Sequence, residues 1–166
     1  MADDIILFIP QCILVIAGIA LMLMEPFTAP ERKSRLGRVA VLATAVAAYS
    51  LSFQWGIRPR ALFHGMIAVD SFSVYFQWLF LVIAGVSAFL SIRFNERESI
   101  ERGEYYALLL FGCSGMCLMA ASSDLILTFL GIEILSIATY ILAGFKRADV
   151  RSNESSLKYF LLGSFA

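Results

Sequence analysis

The sequence predicts an all-α protein, a polytopic bundle of transmembrane helices. Apolar residues make up 60% of the 166 residues, above the roughly 45–50% of soluble domains, and charged residues make up only 16%. The mean hydropathy is +0.80, which leaves a water-soluble fold too little polar surface to cover its core. A net charge of zero and the lack of a basic stripe argue against a nucleic-acid partner.

Five apolar runs approach the roughly 20 residues that a helix needs to cross a bilayer. They cover about residues 5–24, 39–55, 72–92, 105–121 and 125–145. The last two are separated by Ser122, Ser123 and Asp124, so they must form a tight hairpin whose second helix begins with an N-capping charge at Asp124. A sixth run, 155–166, is too short to cross, so residues 1–166 are expected to be one transmembrane domain fragment that stops inside its sixth helix.

The positions of lysine and arginine predict the orientation, because cytoplasmic connections carry the excess of positive charge. Connections after the odd-numbered spans hold ten basic residues, and the opposite side holds two. The ten are Arg32, Lys33, Arg35, Arg38, Arg93, Arg97, Arg102, Lys146, Arg147 and Arg151, and the two are Arg58 and Arg60. The N-terminus is therefore predicted to lie on the non-cytoplasmic side.

The cysteines and the histidine point to packing and loop roles. Cys12, Cys113 and Cys117 lie in apolar runs, and a C-x3-C spacing without nearby His, Asp or Glu is not a usual zinc pattern. His64 lies in a connecting segment. We therefore expect no metal site and no cofactor site in this chain. Gly112 and Gly115 have the small-residue spacing that suits close helix approach.

Glu133 lies in the middle of the fifth run, where an ionisable group costs about 2.5–3.5 kcal/mol on insertion scales. Ser136 and Tyr140 follow at i+3 and i+7, so the three share one helix face that must look into protein or a hydrated path. Two interpretations stay open. The carboxyl takes part in proton or ion movement, or it is a neutral group that hydrogen-bonds to a neighbouring helix.

Lys158, roughly one turn inside the sixth run, is the local candidate for a cation that would tune the proton affinity of Glu133. The spacing alone also allows a simpler interpretation. Lys158 would then reach back to the cytoplasmic surface and pair with Glu154, four residues earlier.

The motifs around these two residues resemble a known family. The run S-D-L-I-L-T-F-L-G-I-E-I-L-S over residues 123–136, continued by Y-I-L-A-G-F over 140–145, is similar to the fifth helix of the antiporter-like membrane subunits of respiratory complex I. The segment R-S-N-E-S-S-L-K-Y-F-L-L-G-S-F-A over 151–166 is similar to the next helix of the N subunits of the bacterial proton-pumping NADH:quinone oxidoreductase. The resemblance is sharp over about residues 105–166, and over 1–104 it is mainly the number and order of spans.

This resemblance implies a parent of about fourteen helices in the cell inner membrane, with other membrane subunits and the lipid bilayer as partners. It implies that Glu133 and Lys158 belong to a proton pathway, driven by electron transfer from NADH to quinone. It places FMN, the iron–sulfur clusters and the quinone site in other subunits. Two other functions stay open, namely a related cation/proton antiporter or membrane-bound hydrogenase subunit, and a membrane scaffold with a structural glutamate.

Overall fold

A computed structural model describes residues 6–29, 33–98, 100 and 102–165. Ile5, Arg32 and Ala166, which enter the predicted spans and the charge count, lie outside the described residues. The main helices are α1 (Ile9–Met24), α2 (Ser34–Ser52), α3 (Ser71–Glu98), α4 (Gly103–Ala121), α5 (Leu125–Ala143) and α6 (Val150–Ser164). A 3-10 turn, Glu25–Phe27, continues α1.

Four of these helical segments are long and apolar enough to cross a membrane: Ile9–Phe27, Ser71–Glu98, Gly103–Ala121 and Leu125–Ala143. The helix α2 is not among the four, because Arg35 and Arg38 near its start lower its mean hydropathy. The described chain is thus a helical bundle with four apolar candidate spans, and the crossing of α2 stays a prediction.

Several helices extend beyond the apolar runs that predicted them. The helix α2 begins five residues before the predicted run at 39, and α3 continues six residues past 92 to Glu98. The helix α6 begins at Val150 rather than 155, because the Asp149 side chain accepts a hydrogen bond from the Arg151 backbone N–H at 3.0 Å. Charged ends of helices do not show in an apolar run, because a helix can continue into the polar headgroup region.

The helices α1 to α4 pack together as one bundle, while α5 packs on α4 and α6 packs on α5. The bundle core is made of small and branched apolar side chains, with Leu14, Ala40, Ala47, Ala88 and Leu110 all fully buried. The alanines of α2 and α3 let these two helices approach closely, which is the usual packing device inside membranes.

A small antiparallel ribbon adds to the helical bundle that the sequence predicted. Strand β1 (Arg60–Leu62) pairs with β2 (Ile67–Val69), in the segment that the sequence predicted only as a connection. Leu62 lies opposite Ile67, and both side chains are buried, so the ribbon is held by its apolar contact with the bundle. His64 lies in the turn with a left-handed φ of 59°, which confirms the prediction that it is a loop residue.

A largely buried ion pair joins the ends of three helices. The Glu25 carboxylate, after α1, accepts a hydrogen bond from Lys33 Nζ at 2.6 Å, and its other oxygen accepts one from the Gly103 backbone N–H at 2.5 Å. Lys33 precedes α2 and Gly103 begins α4, so one carboxylate fixes how the three chain segments meet. We call this group the Glu25 clamp.

A second ion pair lies in solvent. Lys146, after α5, donates to Glu98 at the end of α3, with 2.8 Å between Nζ and Oε2. The hydrogen bond to Glu98 and the charge of its carboxylate raise the pKa of Lys146 above its ordinary value.

Candidate functional site

The candidate site lies on α5, whose first turn is fixed by Asp124. The Asp124 carboxylate accepts hydrogen bonds from the backbone N–H groups of Ile126 at 2.8 Å and Leu127 at 3.3 Å. These bonds satisfy donors that a helix start leaves without partners. The predicted capping role of Asp124 is confirmed, and the three-residue break between α4 and α5 produces the expected hairpin.

Glycines bring the two helices of this hairpin into backbone contact. A Cβ built at Gly115 would lie 2.7 Å from the Gly131 carbonyl oxygen, and one built at Gly131 would lie 2.6 Å from Met119 Cγ. Neither position has room for a side chain. A Cβ at Gly112 would lie 3.6 Å from Ala138 and Leu135, an ordinary contact. The predicted close approach therefore rests on Gly115, with Gly131 as its partner.

Glu133 lies eight residues into α5, about 12 Å along the helix axis from Leu125. Its side chain is half-buried, as are those of Ser136 and Tyr140 on the same face. At 100° per residue, Glu133 points away from the side on which Gly131 meets α4. Within the described residues, the Glu133 carboxyl makes no hydrogen bond or ion pair.

The helix α6 covers the far end of this face, at Tyr140. The Ser156 hydroxyl donates to the Tyr140 carbonyl at 2.8 Å, and Ser152 donates to the Ala143 carbonyl at 2.7 Å. The Tyr140 ring meets the ring of Tyr159 edge-on, with 5.4 Å between the centroids. The later residue of α6, Ser156, contacts the earlier residue of α5, Tyr140, so the two helices run antiparallel.

Lys158 is close to this contact but faces away from it. It follows Ser156 by two residues, so it points about 200° around α6 from the serine that contacts α5. Its side chain is 69% exposed and pairs with Glu154 at 2.6 Å, as the simpler interpretation of its spacing predicted. The structure therefore places Glu133 and Lys158 on neighbouring helices without bringing their charged groups together.

The two residues also lie at different levels along the helix axes. Lys158 lies about 3 Å beyond Ser156, and Glu133 lies about 10 Å before Tyr140, so their levels differ by about 7 Å. With Lys158 turned away from α5 and paired with Glu154, a water or a polar side chain of another helix would have to connect the two groups in this arrangement.

A buried pair of glutamines was not predicted. Gln11 on α1 donates from Nε2 to Gln77 Oε1 on α3 at 2.6 Å, and both residues are buried. Each interrupts an apolar run, and an amide in that setting is the signal that could have found them, since it costs free energy unless it is hydrogen-bonded. The bond joins α1 to α3 inside the bundle.

The cysteines are free thiols in the structure. Cys113 and Cys117 are buried, and Cys12 is half-buried. The Cys113 thiol contacts the Phe80 carbonyl at 3.7 Å, so it packs α4 against α3. Across residues 6–29, 33–98, 100 and 102–165, no three His, Cys, Asp or Glu side chains are placed so that they could hold a metal ion.

The fold and the site define a class, a polytopic helical membrane protein with a carboxyl in the middle of a glycine-packed hairpin. The family described as NADH:quinone oxidoreductase/Mrp antiporter, transmembrane, matches residues 122–166, which contain this hairpin's second helix and α6. That description covers both NADH:quinone oxidoreductases and Mrp antiporters.

Comparisons over nearly the whole chain agree with one another. NADH-quinone oxidoreductase subunit N 1 of Solibacter usitatus is 44% identical over 99% of this chain, and subunit N of Trichlorobacter lovleyi is 38% identical over 95%. The structure of respiratory complex I from Thermus thermophilus with bound aureothin contains a chain that superposes with a TM-score of 0.74, at 34% identity over 94% of this chain. The chain is thus a homologue of the subunit N proteins, and the predicted resemblance is confirmed. It spans about a third of their length, 34% and 32% of the two relatives and 33% of the Thermus chain.

Proposed function

We propose that this chain forms part of a proton-translocating membrane-arm subunit of NADH:quinone oxidoreductase. The observation that carries the proposal is the half-buried Glu133 carboxyl in the middle of the apolar helix α5, within the segment that matches the antiporter-like family. An ionisable group at that depth is expensive, and such groups mark ion and proton paths. The names of the relatives favour the redox-driven complex over a free-standing antiporter.

In this proposal the Glu133 carboxyl accepts and releases a proton as a nearby positive charge moves. Lys158 supplies that charge through a water or a polar side chain, after leaving Glu154. A cation near a buried carboxylate stabilises its charged form, and the departure of that cation favours the protonated form. NADH oxidation and quinone reduction, with FMN and the iron–sulfur clusters, belong to other subunits.

The proposal includes a parent of about fourteen helices, of which this chain supplies five spans and the start of a sixth. It places the protein in the bacterial inner membrane with the N-terminus on the non-cytoplasmic side, in contact with lipid and other membrane subunits and without nucleic acid. Cysteines introduced beside Arg35 or Arg97 should react with an impermeant thiol reagent only from the cytoplasmic side. One beside Arg60 should react only from the other side, and the reverse pattern would contradict the orientation.

The test is substitution of Glu133 in the complete subunit within the assembled complex. Glu133→Ala should reduce the protons moved per NADH oxidised in membrane vesicles, with assembly unchanged on native gels. Glu133→Asp keeps the charge and should do less harm. Glu104→Gln removes a carboxylate at the start of α4 that lies partly in solvent, 3.9 Å from Arg147 Nη2, and should leave pumping unchanged.

The double change Glu133→Ala with Lys158→Ala tests whether the two residues act together. Coupled residues are not additive, so the loss should be smaller than the sum of the single losses. Additive losses would remove Lys158 from the pathway. Full pumping in the Glu133→Ala complex would return Glu133 to a structural role, as expected for a membrane scaffold.

A further inference from the structure

A groove of about 790 Å³ runs between α2 and α3 at the end of the bundle that the charge pattern assigns to the cytoplasm. We call it the α2/α3 groove. Its walls are apolar side chains, and its mouth carries two arginines. The lining residues are Arg38, Val41, Leu42, Phe89, Leu90, Ile92 and Arg93.

The two arginines lie at the same level on antiparallel helices. A Cβ built at Gly37 would lie 2.6 Å from Ile92 Cγ1, so these two positions are in direct contact. Arg38 and Arg93 are the next residues along their helices, and both are exposed. The lack of a side chain at Gly37 lets the helices approach, and the register places Arg38 and Arg93 on the same side of this contact, where both line the groove.

The charges of the arginines are not neutralised within the described part of the chain. Neither Arg38 nor Arg93 forms an ion pair there, and the nearby Glu98 pairs with Lys146 instead. Glu96, three residues after Arg93, is exposed and lies outside ion-pair distance of that arginine. Two guanidinium groups that have no ion-pair partner among the described residues, at the edge of an apolar groove, favour an anion, and arginine forks match phosphate geometry.

The groove below the arginines suits a hydrocarbon chain. Leu42 is 63% exposed, and Phe89 and Leu90 are each 65% exposed, on helices that lie against α1 and α4 on their other sides. A protein helix laid here would bury both guanidinium groups and would need its own carboxylates to pair them. The helix α5, through which the chain continues, packs on α4 instead.

We propose that the α2/α3 groove binds an anionic phospholipid. Its phosphate lies between the Arg38 and Arg93 guanidinium groups at the headgroup level, and one acyl chain lies along Leu42, Phe89 and Leu90. Basic pockets between membrane helices on the cytoplasmic side bind anionic headgroups in this way. The inference rests on the membrane-embedded fold and not on proton translocation.

The experiment titrates the complete subunit with phosphatidylglycerol and counts bound lipids by native mass spectrometry after release from nanodiscs. Arg38→Gln and Arg93→Gln should each weaken one binding event about fivefold, and the double variant about thirtyfold. Arg35→Gln removes an arginine of α2 that does not line the groove and is the matched control. Leu42→Trp keeps both charges but puts a bulky ring in the path proposed for the acyl chain, so it should also weaken lipid binding.

Phosphatidylcholine nanodiscs distinguish recognition of the headgroup from simple apolar contact. The proposal expects much weaker retention of phosphatidylcholine, because its headgroup carries no net charge. Equal retention of both lipids would overturn it. So would a double variant that binds phosphatidylglycerol within twofold of the unsubstituted protein, the result expected if another helix fills the groove. If the arginine variants fail to fold, Leu42→Trp decides, and unchanged lipid binding in that variant overturns the proposal.

Discussion

The Glu25 clamp gives a prediction about stability that is independent of function. Glu25→Ala removes the carboxylate that accepts from Lys33 Nζ and from the Gly103 N–H. The Glu25 side chain is only 11% exposed, so water does not fully replace it. The substitution therefore leaves an ammonium and a backbone donor without partners near the ends of α1, α2 and α4.

The magnitude follows from the two lost bonds. A hydrogen bond to a charged group contributes about 1.5–3 kcal/mol, and a buried donor left without a partner costs about 1–3 kcal/mol. The Lys33 side chain is 24% exposed, so its ammonium group regains some water when the carboxylate is removed. Its contribution to the loss of stability therefore lies toward the lower end of these ranges. We expect Glu25→Ala to lower the free energy of unfolding by about 2–4 kcal/mol. Glu25→Gln should cost less, because an amide oxygen still accepts from the Gly103 N–H.

Unfolding of the complete subunit in mixed micelles, followed by tryptophan fluorescence, measures this loss. A double-mutant cycle with Lys33→Ala isolates the ion pair, and its coupling free energy should exceed 1 kcal/mol in magnitude. Glu98→Ala breaks the exposed pair with Lys146 and is the matched control, with little effect expected. If Glu25→Ala were no more destabilising than Glu98→Ala, the clamp would contribute nothing to the fold.

Three further outcomes follow from other contacts. Gly131→Val should separate α4 from α5 and block assembly, whereas Gly112→Ala should be tolerated, as judged by native gels. Normal assembly of the Gly131→Val variant would contradict the close approach of the two helices. Asp124→Ala should destabilise the protein by about 1 kcal/mol in thermal unfolding through loss of the helix cap, and an unchanged midpoint would contradict that role. Glu98→Gln should lower the raised pKa of Lys146, so more of its amine is unprotonated and it should be acylated faster at pH 9–10. Peptide mass spectrometry measures the rate, and equal rates in the two proteins would contradict the pairing.

Local signals predicted the parts of the fold that depend on local chemistry. The start of α5 follows from Asp124, whose side chain acts within three residues. The two-stranded ribbon gave no such signal, because each strand has only three residues and depends on Leu62 and Ile67 contacting a bundle formed by distant segments. The charged ends of α2 and α3 are helical but were not predicted. Hydropathy indicates which part of a helix can lie in the bilayer, and it does not indicate where the helix itself begins or ends.

The candidate site was predictable in composition but not in arrangement. The depth of Glu133 follows from its place in an apolar run. The direction of Lys158 does not, because it depends on Ser152 and Ser156 turning one face of α6 toward α5. The Glu25 clamp lay beyond sequence reasoning altogether, since Glu25 and Gly103 are 78 residues apart.

The scant coverage of α5 leaves most of this helix open to further contacts. In the apolar stretch of α5, 11% of residues are buried within the described chain, against 50% in α4. The contact of Gly115 with Gly131 covers one side of α5, and the side that carries Glu133 is largely open except where α6 covers Tyr140. Whatever packs on that side, lipid or another helix, therefore determines the surroundings of the Glu133 carboxyl.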